Sequence, residues 1–168
     1  MQISSAIAIA KKMLTEHGFG HVPIVLDNAK RRAGMVSFKS NGEIYRMSLS
    51  RNYIPLNEEC EIRGVILHEI AHMIVGSHHG HDAIWKAACR GIGGDGSRIR
   101  RKADMPEGRY QGVCETCGAD TGAFHRLSSR MMDYAHTRDK GKIKWFDSKE
   151  GRWLTQEDIP ARRNRIAY

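Results

Sequence analysis

The sequence predicts an α+β fold, with helices and short strands in its first two-thirds and a small strand-bearing unit behind them. Three features carry that expectation. Apolar residues recur at helical spacing in three runs. Two short runs of strand character flank an Asn-Gly turn. A lone Cys-x-x-Cys pair lies in the basic C-terminal part of the chain.

The first helix is expected over 4–17, where Ser4 or Ser5 can cap it, Ile7, Ala10, Lys11 and Leu14 follow at helical spacing, and Gly18 can stop it. Val22 to Leu26 reads as a short strand. Met35 to Phe38 and Glu43 to Leu49 read as two strands joined at Ser40-Asn41-Gly42, because Asn and Gly both tolerate positive φ. After Pro55, Asn57 is the expected cap of a second helix, with Glu58, Glu59 and Glu61 placing negative charge at its positive end. That helix runs through Ile62, Val65, Ile66, Ile70, Met73 and Ile74 to a stop near Gly76. A third helix spans Asp82 to Arg90. Residues 91–109, rich in Gly and Arg, read as a mobile connection, with a small unit over about 110–155 beyond it. Neither an internal repeat nor a low-complexity tract is visible.

The chain has 168 residues, 40% hydrophobic and 27% charged, which is the composition of a soluble globular protein. No apolar run approaches the roughly 20 residues of a membrane span. The lysines Lys11 and Lys12 follow the apolar start instead of preceding it, unlike a secretory signal, so a cytoplasmic location is expected. Four cysteines are too sparse for a secreted disulfide framework, and Cys60 and Cys89 read as small buried hydrophobes. The net charge of +8 is uneven: residues 1–97 carry +2 and residues 98–168 carry +6. A basic C-terminal half suits a polyanion such as nucleic acid.

His68-Glu69-Ile70-Ala71-His72 carries the chemistry. Residues four apart on a helix share one face, so two imidazoles can hold one metal ion while Glu69 reaches a water at that metal. Packing alone is a poor account of this trio, since two imidazoles and a carboxylate are costly to bury without a partner. A catalytic zinc takes three protein ligands and leaves one position open. Five of the nine histidines lie between positions 68 and 81, and the residues leave His78, His79 and His81 open as the third ligand. The extended pattern H-E-x-x-H-x-x-G-x-x-H is broken, because position 75 is Val and the glycine is Gly76. A carboxylate from a later segment, Asp82 or Asp95, is a further alternative.

Arg63-Gly-Val-Ile-Leu-His-Glu-Ile-Ala-His72, followed by Gly80-His81-Asp82-Ala83-Ile84-Trp85-Lys86, resembles the SprT-like metalloprotease family over most of residues 1–145. The resemblance implies a zincin-like metalloprotease domain over 1–105, a small antiparallel sheet plus an active-site helix, with His81 as third zinc ligand and Glu69 as general base. It places Trp85 where an aromatic side chain packs the next helix against the active-site helix. Asp82 departs from the family, which often has Gly there. It also implies that an extended peptide binds beside the strand Glu43–Leu49. Activity on proteins bound or crosslinked to DNA is expected on the same ground. The rival readings are a catalytically silent DNA-binding zinc module and a zinc amidase acting on a small substrate.

Cys114-Glu-Thr-Cys117-Gly118 is half of a zinc knuckle, with redox chemistry as its rival. No cysteine remains downstream for a second pair. SprT-like proteins often carry a C-terminal zinc ribbon, and the resemblance puts His136 and Asp139 at its missing cysteine positions. The expectation is a zinc-ribbon-like unit over 106–155, with a second, structural zinc on Cys114, Cys117, His136 and Asp139. His125 is the alternative ligand, and a degenerate ribbon without metal is the alternative state. A basic tail fills 156–168. Arg98, Arg100, Arg101, Lys102, Arg126, Arg130, Arg138, Lys142 and Lys144, with Trp145 as a stacking surface, are the expected contacts to single-stranded or distorted DNA.

Overall fold

The computed structural model describes residues 1–98 and 103–158, the side chains of Met132 and Gln156 excepted. Its fold is α+β. Two compact units divide the chain, Met1–Pro106 and Glu107–Tyr168, and each is described by itself.

The first unit begins with α1 (Ile3–Glu16). Its buried residues Ala6, Ala10, Met13 and Leu14 fall at helical intervals and form one apolar stripe. Gln2 stands at the N-cap and makes no side-chain cap, so neither serine serves as expected. Then come β1 (Ile24–Asp27), β2 (Gly34–Phe38) and β3 (Ile44–Ser50) in the spatial order β1-β3-β2. The hairpin at Asn41-Gly42 forms, with the amide of Gly42 donating to the carbonyl of Lys39 at 3.0 Å. β2 and β3 are antiparallel, but β1 pairs with β3 in parallel, so the sheet is mixed and not antiparallel throughout. The segment between β1 and β2 makes this order work by wrapping the end of β3. There the Ser50 hydroxyl donates to the carbonyl of Ala29 at 2.6 Å, and the amide of Arg51 donates to that of Asp27 at 3.0 Å.

One consequence corrects an expectation. β3 is the central strand, hydrogen-bonded on both sides, and has no free edge to offer a peptide. The edge strand packed against the histidine-bearing helix is β2.

That helix, α2 (Glu59–Val75), is buried around most of its circumference through Ile62, Val65, Ile66, Glu69, Ile70, Ala71 and Met73. It packs against α1, β2 and α3, which explains why its apolar residues do not form a single stripe. Glu58, not Asn57, sits at its N-cap. Asn57 is buried instead. Its amide nitrogen donates to the carbonyls of Tyr53 and Asp104, and its oxygen accepts the amide of Asp104. Cys60 is exposed in the first turn between Glu59 and Glu61, against expectation, whereas Cys89 is buried. Gly76 closes α2 with φ 81°, a conformation that glycine adopts without strain. α3 (Ala83–Gly91) follows, and the Asp82 carboxylate caps it by accepting the amide of Trp85 at 2.9 Å.

The second unit is a four-stranded antiparallel sheet in the order β5-β4-β6-β7, from β4 (Tyr110–Cys114), β5 (Asp120–Phe124), β6 (Ile143–Asp147) and β7 (Arg152–Trp153). Its core is small: Met131 and Trp145 are buried, with Tyr110, Phe124, Leu127, Ile143 and Leu154 packed against them. The Arg109 guanidinium grips the buried Asp147 carboxylate with two nitrogens, at 2.6 and 2.8 Å, and this pair ties β4 to β6. Among the described residues no helix is long and apolar enough to cross a membrane.

Candidate metal centre

Helical spacing brings His68 and His72 of α2 to one face, with ring centroids 5.1 Å apart. The segment between α2 and α3 returns His81 to that face. Its Nε2 lies 2.9 Å from Nε2 of His68 and 3.2 Å from Nε2 of His72. His78 and His79 do not join this group. The ring of His79 turns to Asp82, with Nδ1 2.8 Å from the carboxylate, and His78 is exposed.

Trp85, fully buried, is the floor under the trio: its ring lies 4.6 Å from His68, 5.2 Å from His72 and 4.6 Å from His81, centre to centre. The cap of Asp82 on the amide of Trp85 therefore does more than start a helix. The same carboxylate holds His79 and so braces the segment that presents His81. Asp82, the departure from the family pattern, has a structural use here.

The electrostatics fit a cation. All three imidazoles are held below the usual histidine range. Burial drives His68 down to about 4, with His72 and His81 adding repulsion. Burial, then His81, lowers His72; burial, then the positive charges of Arg98 and Lys86, lowers His81. Three neutral rings turning Nε2 atoms towards one point cannot all satisfy one another, since only one of two facing nitrogens can donate. Ligands about 2.0–2.1 Å from a shared tetrahedral zinc stand about 3.3 Å apart, close to the spacing seen. The backbone of Ser97 acts on His68, and that of His79 on His72, in the opposite direction to burial, favouring the protonated ring. Ser97 lies in the Gly-rich stretch expected to be only a connection.

Glu69 is one position along α2 and is 6% exposed. Its Oε2 accepts the backbone amide of Val36 on β2 at 2.9 Å. Burial pushes its carboxyl up to about 7, against the opposing pull of the Val36 amide and of Arg32.

A second group of potential ligands lies in the second unit. One donor atom from each of Cys114, Cys117, His136 and Asp139 comes within 4.8 Å of the others. Cys114 Sγ is 3.4 Å from Asp139 Oδ1, Cys117 Sγ is 3.4 Å from His136 Nδ1, and His136 Nδ1 is 3.1 Å from Asp139 Oδ1. Two turns carry them. The amide of Gly118 returns to the carbonyl of Cys114, and the amide of Lys140 to that of His136. A side chain at Gly141 would lie 2.6 Å from Cys114 Sγ and 2.5 Å from the Thr116 hydroxyl, so the turns meet only because that position is glycine. His125 stands outside the group, its Nδ1 buried and without a hydrogen-bond partner among the described residues.

The expected nucleic-acid contacts separate. Arg98, Arg126, Arg130, Arg138, Lys142 and Lys144 are exposed, whereas Arg100, Arg101 and Lys102 lie outside the described residues. Trp145 is corrected: it is 2% exposed and packs on Phe124, so its faces are not open for stacking. Alternation along β6 puts Lys144 and Phe146 on the opposite face. There Lys144 Nζ sits 4.5 Å over the ring of Trp153, which is 47% exposed and 5.3 Å from Phe146. Sequence reasoning missed Trp153. The cross-strand pairing of Phe146 with Trp153 creates this surface, and nothing local to either residue announces it.

Neither the curated proteins nor the solved structures give a significant match to the chain. A family model described as the SprT-like family matches residues 5–104, more than half of the sequence and nearly all of the first unit, and the chain belongs to that family.

Proposed function

We propose that the chain is a zinc-dependent endopeptidase of SprT-like type, with a zincin-like catalytic unit and a zinc-ribbon-like second unit, acting on proteins associated with single-stranded or distorted DNA. The observation that carries the catalytic part is the convergence of three imidazole nitrogens at 2.9 and 3.2 Å with a buried carboxyl one helix position away. His68, His72 and His81 would hold the metal. Zinc, when bound, supplies a Lewis acid that acidifies a water and polarises a carbonyl.

The rest is done by side chains of the chain itself. Glu69 accepts the proton of the attacking water and delivers it to the departing amide nitrogen. Its low exposure keeps the carboxyl basic enough for the first transfer. Trp85 walls off the protein side of the histidines and holds their orientation. β2 is an edge strand beside α2, and the stretch of that edge beyond Val36, whose amide is taken by Glu69, supports an extended peptide as substrate. Cys114, Cys117, His136 and Asp139 would hold a second, structural zinc. The exposed arginines and lysines of the second unit, with Phe146 and Trp153, support association with single strands through phosphate contacts and base stacking.

Glu69→Gln tests the catalytic reading. Cleavage of an unfolded protein substrate in the presence of single-stranded DNA should fall by about 10²–10⁴-fold, with zinc content unchanged. Undiminished cleavage in that variant would sink the enzyme assignment. For the ligand set, His81→Ala should lose one zinc per chain by elemental analysis, whereas His78→Ala and His79→Ala should lose none.

A further inference from the structure

We propose that the edge strand β2 is part of the catalytic apparatus, with Gly34 and the backbone amide of Val36 forming a seat that sets the direction of the Glu69 carboxyl. This rests on the reading of Glu69 as the general base. In the pairing of β2 with β3, Ala33 turns its carbonyl to β3, where it accepts the amide of Ser50. Alternation then turns the polar groups of Gly34 and Val36 outward. At an ordinary sheet edge the Val36 amide would face water. Here Glu69 Oε2 accepts it at 2.9 Å, across 33 residues of sequence.

Two residues further back, the strand meets the same helix face at closer range. A Cβ on Gly34 would lie 2.9 Å from Val65 Cγ1, 3.1 Å from Glu69 Oε1 and 3.2 Å from Glu69 Cγ. Val65 and Glu69 are one turn apart on α2, so the bare backbone of Gly34 is pressed into the ridge they form. One carboxylate oxygen is thus bonded to Val36 and the other is confined by Gly34. Both constraints come from a strand, which holds geometry better than a loop. The seat gives Gly34 a positioning role, because it touches neither substrate nor metal and acts only through Glu69.

The test uses the full-length, zinc-loaded chain with amide exchange followed by NMR, alongside steady-state kinetics. Removing the acceptor in Glu69→Ala should make the Val36 amide exchange about tenfold faster or more. Gly34→Ala should also speed that exchange, keep its zinc, and lower kcat by about 10–100-fold with KM within about twofold. Gly34→Ala combined with Val65→Ala removes the closest contact, so thermal stability should return while kcat stays low. Gly20→Ala is the control, since its added methyl meets the Thr15 hydroxyl at 2.8 Å, outside the site. It should leave Val36 exchange and kcat alone. An unchanged Val36 exchange rate in Glu69→Ala, an unchanged kcat in Gly34→Ala, or a kcat fully restored by Val65→Ala overturns the seat. If the wild-type chain cleaves nothing, or Glu69→Gln remains active, the peptidase reading fails instead, and the Val36 exchange rate still decides whether the seat exists.

Discussion

In the first unit three neutral imidazoles stand on and beside α2, half-buried against Trp85, with a raised carboxyl next to them. In the second unit two thiols, an imidazole and a carboxylate hang from two turns, and only Cys114 is buried. The first group has three donors, which leaves a zinc one open position; the second has four, which closes it. The histidine cluster is framed by a core that stands without it, from Leu14 and Met47 to Ile66 and Ile70. The mixed cluster lies in a unit whose only fully covered apolar side chains among the described residues are Met131, Cys114 and Trp145. An ion would therefore add chemistry to the first unit and stability to the second.

Chelation separates the two most sharply. Structural zinc contributes about 10–16 kcal/mol to the folding of small thiolate-rich domains, and less is expected where a carboxylate replaces a thiolate. Stripping zinc should abolish slow amide exchange in β4 to β7 while α1, α2 and β3 keep theirs, read by peptide-resolved exchange mass spectrometry. Loss of protection in α1 and β3 as well would show that the first unit also folds around its metal. Survival of β4 to β7 would make the mixed cluster a bystander.

Trp85→Ala comes next in size. Emptying a fully buried Trp position costs about 3–5 kcal/mol. The loss should appear in denaturant unfolding of the first unit, together with weaker retention of its zinc against a competing chelator. The second zinc should be held as before. Equal weakening of both zinc sites would contradict the separate scaffolding of the two clusters.

The comparison also explains what could be read in advance. His68, Glu69 and His72 were legible because a helix converts spacing into position without help from the rest of the chain. The Asn41-Gly42 hairpin was legible for the same local reason. His81 could not be chosen from residues alone among three neighbouring histidines, because the path of the segment is decided by Asp82 capping α3 and tying back His79. The identity of the edge strand was hidden too: β1 pairs in parallel with β3, and no local pattern encodes that. In β6 both faces carry an aromatic residue, so the strand could not say that Trp145 is covered and Phe146 is not. Asn57 has the chemistry of a cap and spends it on residue 104, forty-seven positions away. Legibility fails where a side chain's partner is distant in sequence.

The smallest effect concerns the energetic cost of the base itself. A carboxyl whose folded-state pKa is raised, as that of Glu69 is to about 7 by burial, binds its proton more tightly in the folded chain than in the unfolded one. Its contribution to stability is fully present below the usual 4.5 and is lost as pH rises through about 7. His68 works at the other end. Its pKa is depressed to about 4, so its contribution is present above 6.5 and lost as pH falls towards 4. From 4.5 to 6.5 these two contributions oppose each other, and the lowered His72 and His81 add to the acid-side loss, so the metal-free first unit should be most stable in weakly acidic solution. Glu69→Gln removes only the alkaline loss. In urea titrations of the metal-free chain, that variant should be about 1–3 kcal/mol more stable than wild type at pH 8. The gap should close below pH 4.5, where both side chains are neutral. With zinc bound the gap should narrow at pH 8, since a nearby cation favours the carboxylate. No corresponding gain is open to the mixed cluster, where hydrogen bonds from Cys117 and then from the amide of Gly141 hold Asp139 well below the usual carboxylate range. If Glu69→Gln gives no added stability at pH 8, the first cluster bears no strain for its base, and the contrast between a costly reactive site and a stabilising structural one loses its energetic half.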